Sequence, residues 1–168
     1  MKIGNKSIQR LQQFLVKENL DGEIDKYIFD EEFDKIHLHA EIADFDKFSY
    51  QIRNLELKNI EKSPDYRLTA DELKKRAEIL VSTVTYLLEN LALVEIDTVN
   101  SRVQIRSVST HKGIDNMPYF EIIIDSQKSV YFGRFQQKDE QKQRSQIAFK
   151  ITEEVLERLI DDLAELIS

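Results

Sequence analysis

His37, His39 and Glu41 carry the sharpest chemical signal in this chain. On a strand, side chains two apart point to the same face, so all three would share one. Two imidazoles at that spacing can hold a divalent metal such as zinc, with Glu41 as third ligand or general base. The plainer role is the outward polar face of an edge strand. No third histidine lies nearby; His111 sits far along the chain. A small-molecule-binding or metal-dependent enzyme on His-x-His-x-Glu is therefore the alternative expectation.

A second constellation is basic. Arg102, Gln104 and Arg106 alternate with Val103 and Ile105. Arg134 and Gln136, with Arg144, Gln146 and Lys150, join them if their strands are neighbours. Beside Tyr119 or Tyr131, such a face suits an anionic group or an acidic peptide. Its plainer role is to keep an outward sheet face solvated. Arg102, Arg106, Arg134 and Arg144 are the expected partner-binding residues, with an acidic loop, Asp30, Glu31 and Glu32, as a second patch.

Other chemistry finds little material. The acids between Asp21 and Asp34 lack the order of a calcium loop. Asp161 and Asp162 fall on the polar side of a helix, with nothing to enclose them as an acid–base pair needs. Ser109-Thr110-His111 is adjacent in sequence, but a nucleophile and its base meet through folding, not adjacency. There is no cysteine, which excludes disulfides, thiolate catalysis and thiolate metal sites. With only four glycines, a Gly-rich phosphate loop has almost no raw material. No catalytic residue and no cofactor are assigned.

The elements that position these residues are legible from periodicity. Asn5 to Asn19 reads as a helix through Ile8, Leu11 and Leu15, with Asn19-Leu20-Asp21-Gly22 as its stop. A short strand is expected at Lys26–Phe29 and a cleaner one at Ile36–Ile42. Phe48, Tyr50 and Ile52 alternate, then slip phase near Asn54 before Leu55 and Leu57, as at a bulge. Ser63-Pro64-Asp65 connects to a long helix, Thr69 to Leu91, opened by a Thr69/Glu72 capping box. Five strands follow: Leu93–Asp97, Arg102–Val108, Pro118–Asp125, Ser129–Gln136 and Arg144–Ile151. Asp97–Asn100 and Asp125–Lys128 read as hairpin turns, Ser109–Asn116 as a loop, and Gln137–Gln143 as an exposed tip. A last helix, capped by Thr152, buries Val155, Leu156, Leu159, Ile160, Leu163, Leu166 and Ile167.

Short connections cannot carry crossover helices, so the pairing should be antiparallel. The expected fold class is α+β, residues 1–168 as one domain. A curved antiparallel sheet, a five-strand C-terminal meander plus two or three N-terminal strands, is packed by two or three helices. Net charge is −7, which disfavours nucleic acid as partner. Residues 101–150 run against that balance, with nine Lys/Arg to five Asp/Glu. No apolar run approaches the roughly 18 residues of a membrane span. The expectation is a cytoplasmic, non-enzymatic protein-binding or regulatory module of the adaptor, chaperone or immunity kind. Its partner would be another protein or, as a homodimer, a second copy of the chain.

Overall fold

The computed structural model describes residues 2–18, 26–61, 66–108, 117–137 and 143–168. The stop at residues 19–22, the first acids of the acidic run, Ser63-Pro64-Asp65, the 109–116 loop with His111, and most of the 137–143 tip lie outside the described residues. In chain order the elements are α1 (Ile3–Glu18), β1 (Tyr27–Phe33), β2 (Ile36–Phe45), β3 (Ser49–Asn59), α2 (Ala70–Thr83), β4 (Asn90–Asp97) and β5 (Arg102–Val108). Then come β6 (Tyr119–Asp125), β7 (Ser129–Gln137), β8 (Arg144–Ile147), β9 (Phe149–Thr152) and α3 (Glu153–Ile167). Among the described residues the nine strands form one open, curved antiparallel sheet in the order β1-β2-β3-β7-β6-β5-β4, as the α+β reading expects.

Both halves of the sheet are meanders made from sequence neighbours. The turns after β4 and β6 use one device. Asp97 Oδ1 accepts from the Val99 and Asn100 N–H groups, and Asp125 Oδ1 from those of Gln127 and Ser129. Each turn closes through a residue of positive φ, Ser101 (52°) or Lys128 (59°). The halves meet where β3 pairs with β7 from Asn54↔Gly133 to Lys58↔Ser129. Beyond that seam they part. β8 continues on β7, and β9 continues on the first residues of β3. The run expected as one strand, Arg144–Ile151, is thus two short strands that wedge the fork open, broken at Ala148. The phase slip near Asn54 is the matching irregularity. The β2–β3 register skips Arg53 between Glu41↔Asn54 and Ile42↔Ile52.

All three helices pack on one face, with α3 between α1 and α2. The α2 start is as expected: Glu72 N–H donates to Thr69 Oγ1, and Thr69 N–H to Glu72 Oε2 at 2.8 Å. Its end is not, because the helix stops at Thr83 rather than Leu91. Val81 to Thr85 is a run of β-branched and hydroxyl residues, and the Ser82 and Thr83 hydroxyls both bond the Ile79 carbonyl at 2.8 Å. The leucines beyond keep helical spacing for other reasons: Leu91 is buried in β4, and Leu88 stands 97% exposed at φ 62°. Thr152 occupies the α3 N-cap without a side-chain bond. The Phe48 carbonyl accepts from Glu153 N–H at 3.0 Å instead.

α1 and α3 touch closely at Gly4. Its N–H donates to Asp161 Oδ1 at 2.9 Å, and a Cβ there would run into the Glu157 carbonyl. The obstacle is backbone, so Gly4→Ala should push the helices apart. The steric cost exceeds the roughly 1 kcal/mol that alanine gains over glycine within a helix. We expect a net loss of about 2 kcal/mol in urea unfolding; a stabilised variant would refute the close approach.

Candidate binding face

Among the described residues, no helix lies on the other face of the sheet. Cross-strand register lays one row across it: Arg106 opposite Glu121, Glu121 opposite Gly133, Gly133 opposite Asn54, Asn54 opposite Glu41. Glu121 is 0% exposed although it lies on this uncovered face. Its cover is a set of polar side chains. Arg106 Nε donates to Glu121 Oε2 at 2.9 Å, Arg144 Nη1 to both carboxylate oxygens at 2.8 Å, and Gln104 Nε2 to Oε2 at 2.6 Å. Burial works against the Arg144 charge, but the Glu121 carboxylate outweighs it and holds the guanidinium above its ordinary pKa.

Two aromatic rings floor the cluster. Tyr119 and Phe135 are paired across β6 and β7, their centroids 6.2 Å apart at an interplanar angle of 28°. The Arg106 guanidinium lies 4.9 Å from the Tyr119 centroid and that of Arg144 lies 4.3 Å from Phe135. Both contacts are within cation–π range. Gly133 completes the row without a side chain because the space above it is taken. A Cβ there would come within 2.9 Å of the Tyr131 hydroxyl and 3.2 Å of Gln146 Nε2. Gln146 in turn donates to Tyr131 Oη at 2.6 Å and to the carbonyl of the bulged Arg53 at 2.8 Å. The fork, the bulge and the cluster are therefore one connected construction. Burial raises the Tyr131 phenol above its ordinary pKa, keeping it neutral. Beside the cluster, Glu95, Asp97, Arg102, Gln104, Ile123 and Arg144 line a hollow of about 270 Å³.

The four arginines expected on one face divide. Arg102, Arg106 and Arg144 are on the open face, Arg102 beside Asp97 at 3.4 Å. Arg134 is not: three residues from Tyr131, it points to the helix side by strand alternation. There it lies 4.3 Å from the Phe120 centroid and donates to Glu89 at 2.6 Å. Each of the four is matched to a carboxylate, so the face is a charge mosaic rather than a bare cationic patch. Sequence reasoning missed Glu121, Gly133 and Phe135. The available signal was alternation, which sets Tyr119, Glu121 and Ile123 on one face.

Asp30, Glu31 and Glu32 form no loop; they lie within β1, at the sheet edge. Their alternating apolar neighbours Phe29 and Phe33 are buried against the helices, which draws the segment into strand form. His37 Nε2 and His39 Nδ1 both bond Asp30, at 2.7 and 2.8 Å. These bonds, His39 first, lower the Asp30 pKa, so it stays ionised. A carboxylate only accepts, so each of those nitrogens carries its proton there. Glu41 turns elsewhere, to Lys26 at 3.3 Å and to the Asn54 amide at 3.3 Å. Among the described residues no group of three or more His, Asp or Glu side chains is arranged to hold a metal.

No helix of the described residues is long and apolar enough to cross a membrane. No protein-family model matches this chain, and no curated protein or solved structure matches it.

Proposed function

We propose that this protein is a non-enzymatic binding module, acting in the cytoplasm, that receives a protein partner on the open face of its sheet. The observation that carries the reading is the fully buried Glu121 carboxylate on a face that none of the described helices covers. Desolvating a carboxylate costs several kcal/mol, and an apolar side chain would fill that volume at less expense. What the cluster supplies is orientation: two guanidinium groups held over rings and bonded to one carboxylate, with Arg106 still 35% and Arg144 44% exposed. Pre-ordered arginine and aromatic side chains lose little freedom on binding and dominate the energetics of many interfaces. The mosaic of both signs favours a protein surface of matching pattern over a polyanion.

The test is affinity measured with a partner isolated from the source cell and then purified. Arg144→Ala and Tyr119→Ala should each weaken the binary complex at least tenfold, about 1.4 kcal/mol. Lys74→Ala, on the exposed side of α2, should leave it unchanged. A purified partner whose affinity ignores every open-face substitution would remove the proposal.

A further inference from the structure

Among the described residues, β1 and β4 are the two ends of the strand order, each paired with a single neighbour, and they differ. β4 carries a bulge: its register with β5 skips Val94, between Leu93 and Glu95. A bulge twists an edge away from further pairing. β1 has no such defect. All seven of its residues, Tyr27 to Phe33, pair with β2 in unbroken register. Alternate residues of an edge strand turn N–H and C=O outward, a template for one more strand.

Side chains along that edge select what pairs there. On the open face β1 presents Ile28, 41% exposed, then Asp30 and Glu32. A second copy of β1 is a poor neighbour, since a two-fold axis at Asp30 or at Glu32 sets acid against the same acid. A basic strand is a good neighbour for the same reason. The Asp30 carboxylate is already oriented, because His37 and His39 hold it from the β2 side, and its side chain is still 53% exposed. Glu32 makes no ion pair among the described residues.

We propose that the outer edge of β1 docks an extended, basic segment of a partner protein. The segment adds to the sheet as a further strand, with lysine or arginine opposite Asp30 and Glu32. Backbone hydrogen bonds supply the register, and the alternate cations supply the choice of partner. This surface is separate from the Glu121 cluster, and either reading can fail without the other.

The probe is a fluorescent decapeptide of alternating Lys and Thr, followed by anisotropy at physiological salt against the full chain. Two versions carry N-methyl groups, one on its Lys amides and one on its Thr amides. Each removes the donors from a single edge of the peptide. We expect saturable binding, weakened at least tenfold in one methylated version and by Glu32→Lys, and unchanged by Arg144→Ala. Glu32→Gln, a milder change, should weaken it in the same direction. Absence of saturable binding overturns the proposal. So does equal binding by both methylated peptides, which would leave only diffuse charge attraction, and so does indifference to both Glu32 substitutions.

Discussion

Glu121→Ala is expected to lower unfolding free energy by about 3 kcal/mol, with little change in the urea m-value. Three side chains, Arg106, Arg144 and Gln104, lose their common acceptor at once. Breaking a buried ion pair costs about 3–5 kcal/mol when the remaining charge stays buried. Here both arginines are more than a third exposed and can turn partly toward water, which sets the expectation at the lower end. Glu121→Gln keeps the shape and one acceptor oxygen but gives up the charge, so its loss should be about half as large. The pair of variants separates charge from packing. A loss below about 1 kcal/mol for the alanine variant would mean that water replaces the carboxylate freely, and the cluster would not be a rigid centre.

Phe132→Ala is expected to cost more, about 4 kcal/mol, because its side chain is fully buried at the fork of the sheet. Its ring stacks on Phe120 at 5.3 Å and meets Phe149 edge-on at 5.3 Å, and Phe120 and Phe149 meet edge-on at 5.2 Å. Those three rings come from β6, β7 and β9, so truncating the middle one opens a cavity that neither neighbour can fill without breaking its strand pairing. A loss of that size is a large share of the 5–15 kcal/mol that typically holds a domain together. Phe132→Leu, which conserves more volume, should cost roughly 1.5 kcal/mol. Phe48→Ala, at an exposed turn, should change stability by less than about 0.5 kcal/mol. Urea midpoints and near-ultraviolet circular dichroism read all three. Comparable losses for Phe132→Ala and Phe48→Ala would contradict the core placement.

Much of this architecture is written in periodicities that local physics enforces. Ile8, Leu11 and Leu15 mark α1, Ile36 to Ile42 alternates as β2, and Thr69 with Glu72 closes the expected capping box. The failures are equally local in origin. Val84, Leu87, Leu88 and Leu91 imitate a helical stripe, and only the hydroxyl competition at Ser82 and Thr83 reveals the earlier stop. Residue type groups Arg134 with Arg106, whereas its odd offset from Tyr131 sets it on the other face. The Glu121 cluster could not be assembled from sequence for a different reason. β5 and β6 are joined through residues 109–116 rather than by a tight turn, so the register that sets Arg106 opposite Glu121 cannot be counted along the chain. Arg144 reaches the same carboxylate only because β8 continues along β7 beyond the fork.

The seam between β3 and β7 also divides the work of folding. β1–β3 and β4–β7 each pair residues close in sequence, and such contacts form early because little chain entropy is lost in closing them. Across the seam, every paired residue is more than seventy positions from its partner. The logarithmic entropy of joining such distant points must be met before the ladder returns anything, and that ladder is short. The wedge of β8 and β9, with α3 immediately after it, follows both meanders along the chain. A ribosome-bound chain therefore holds both meanders before it holds the piece that locks one against the other.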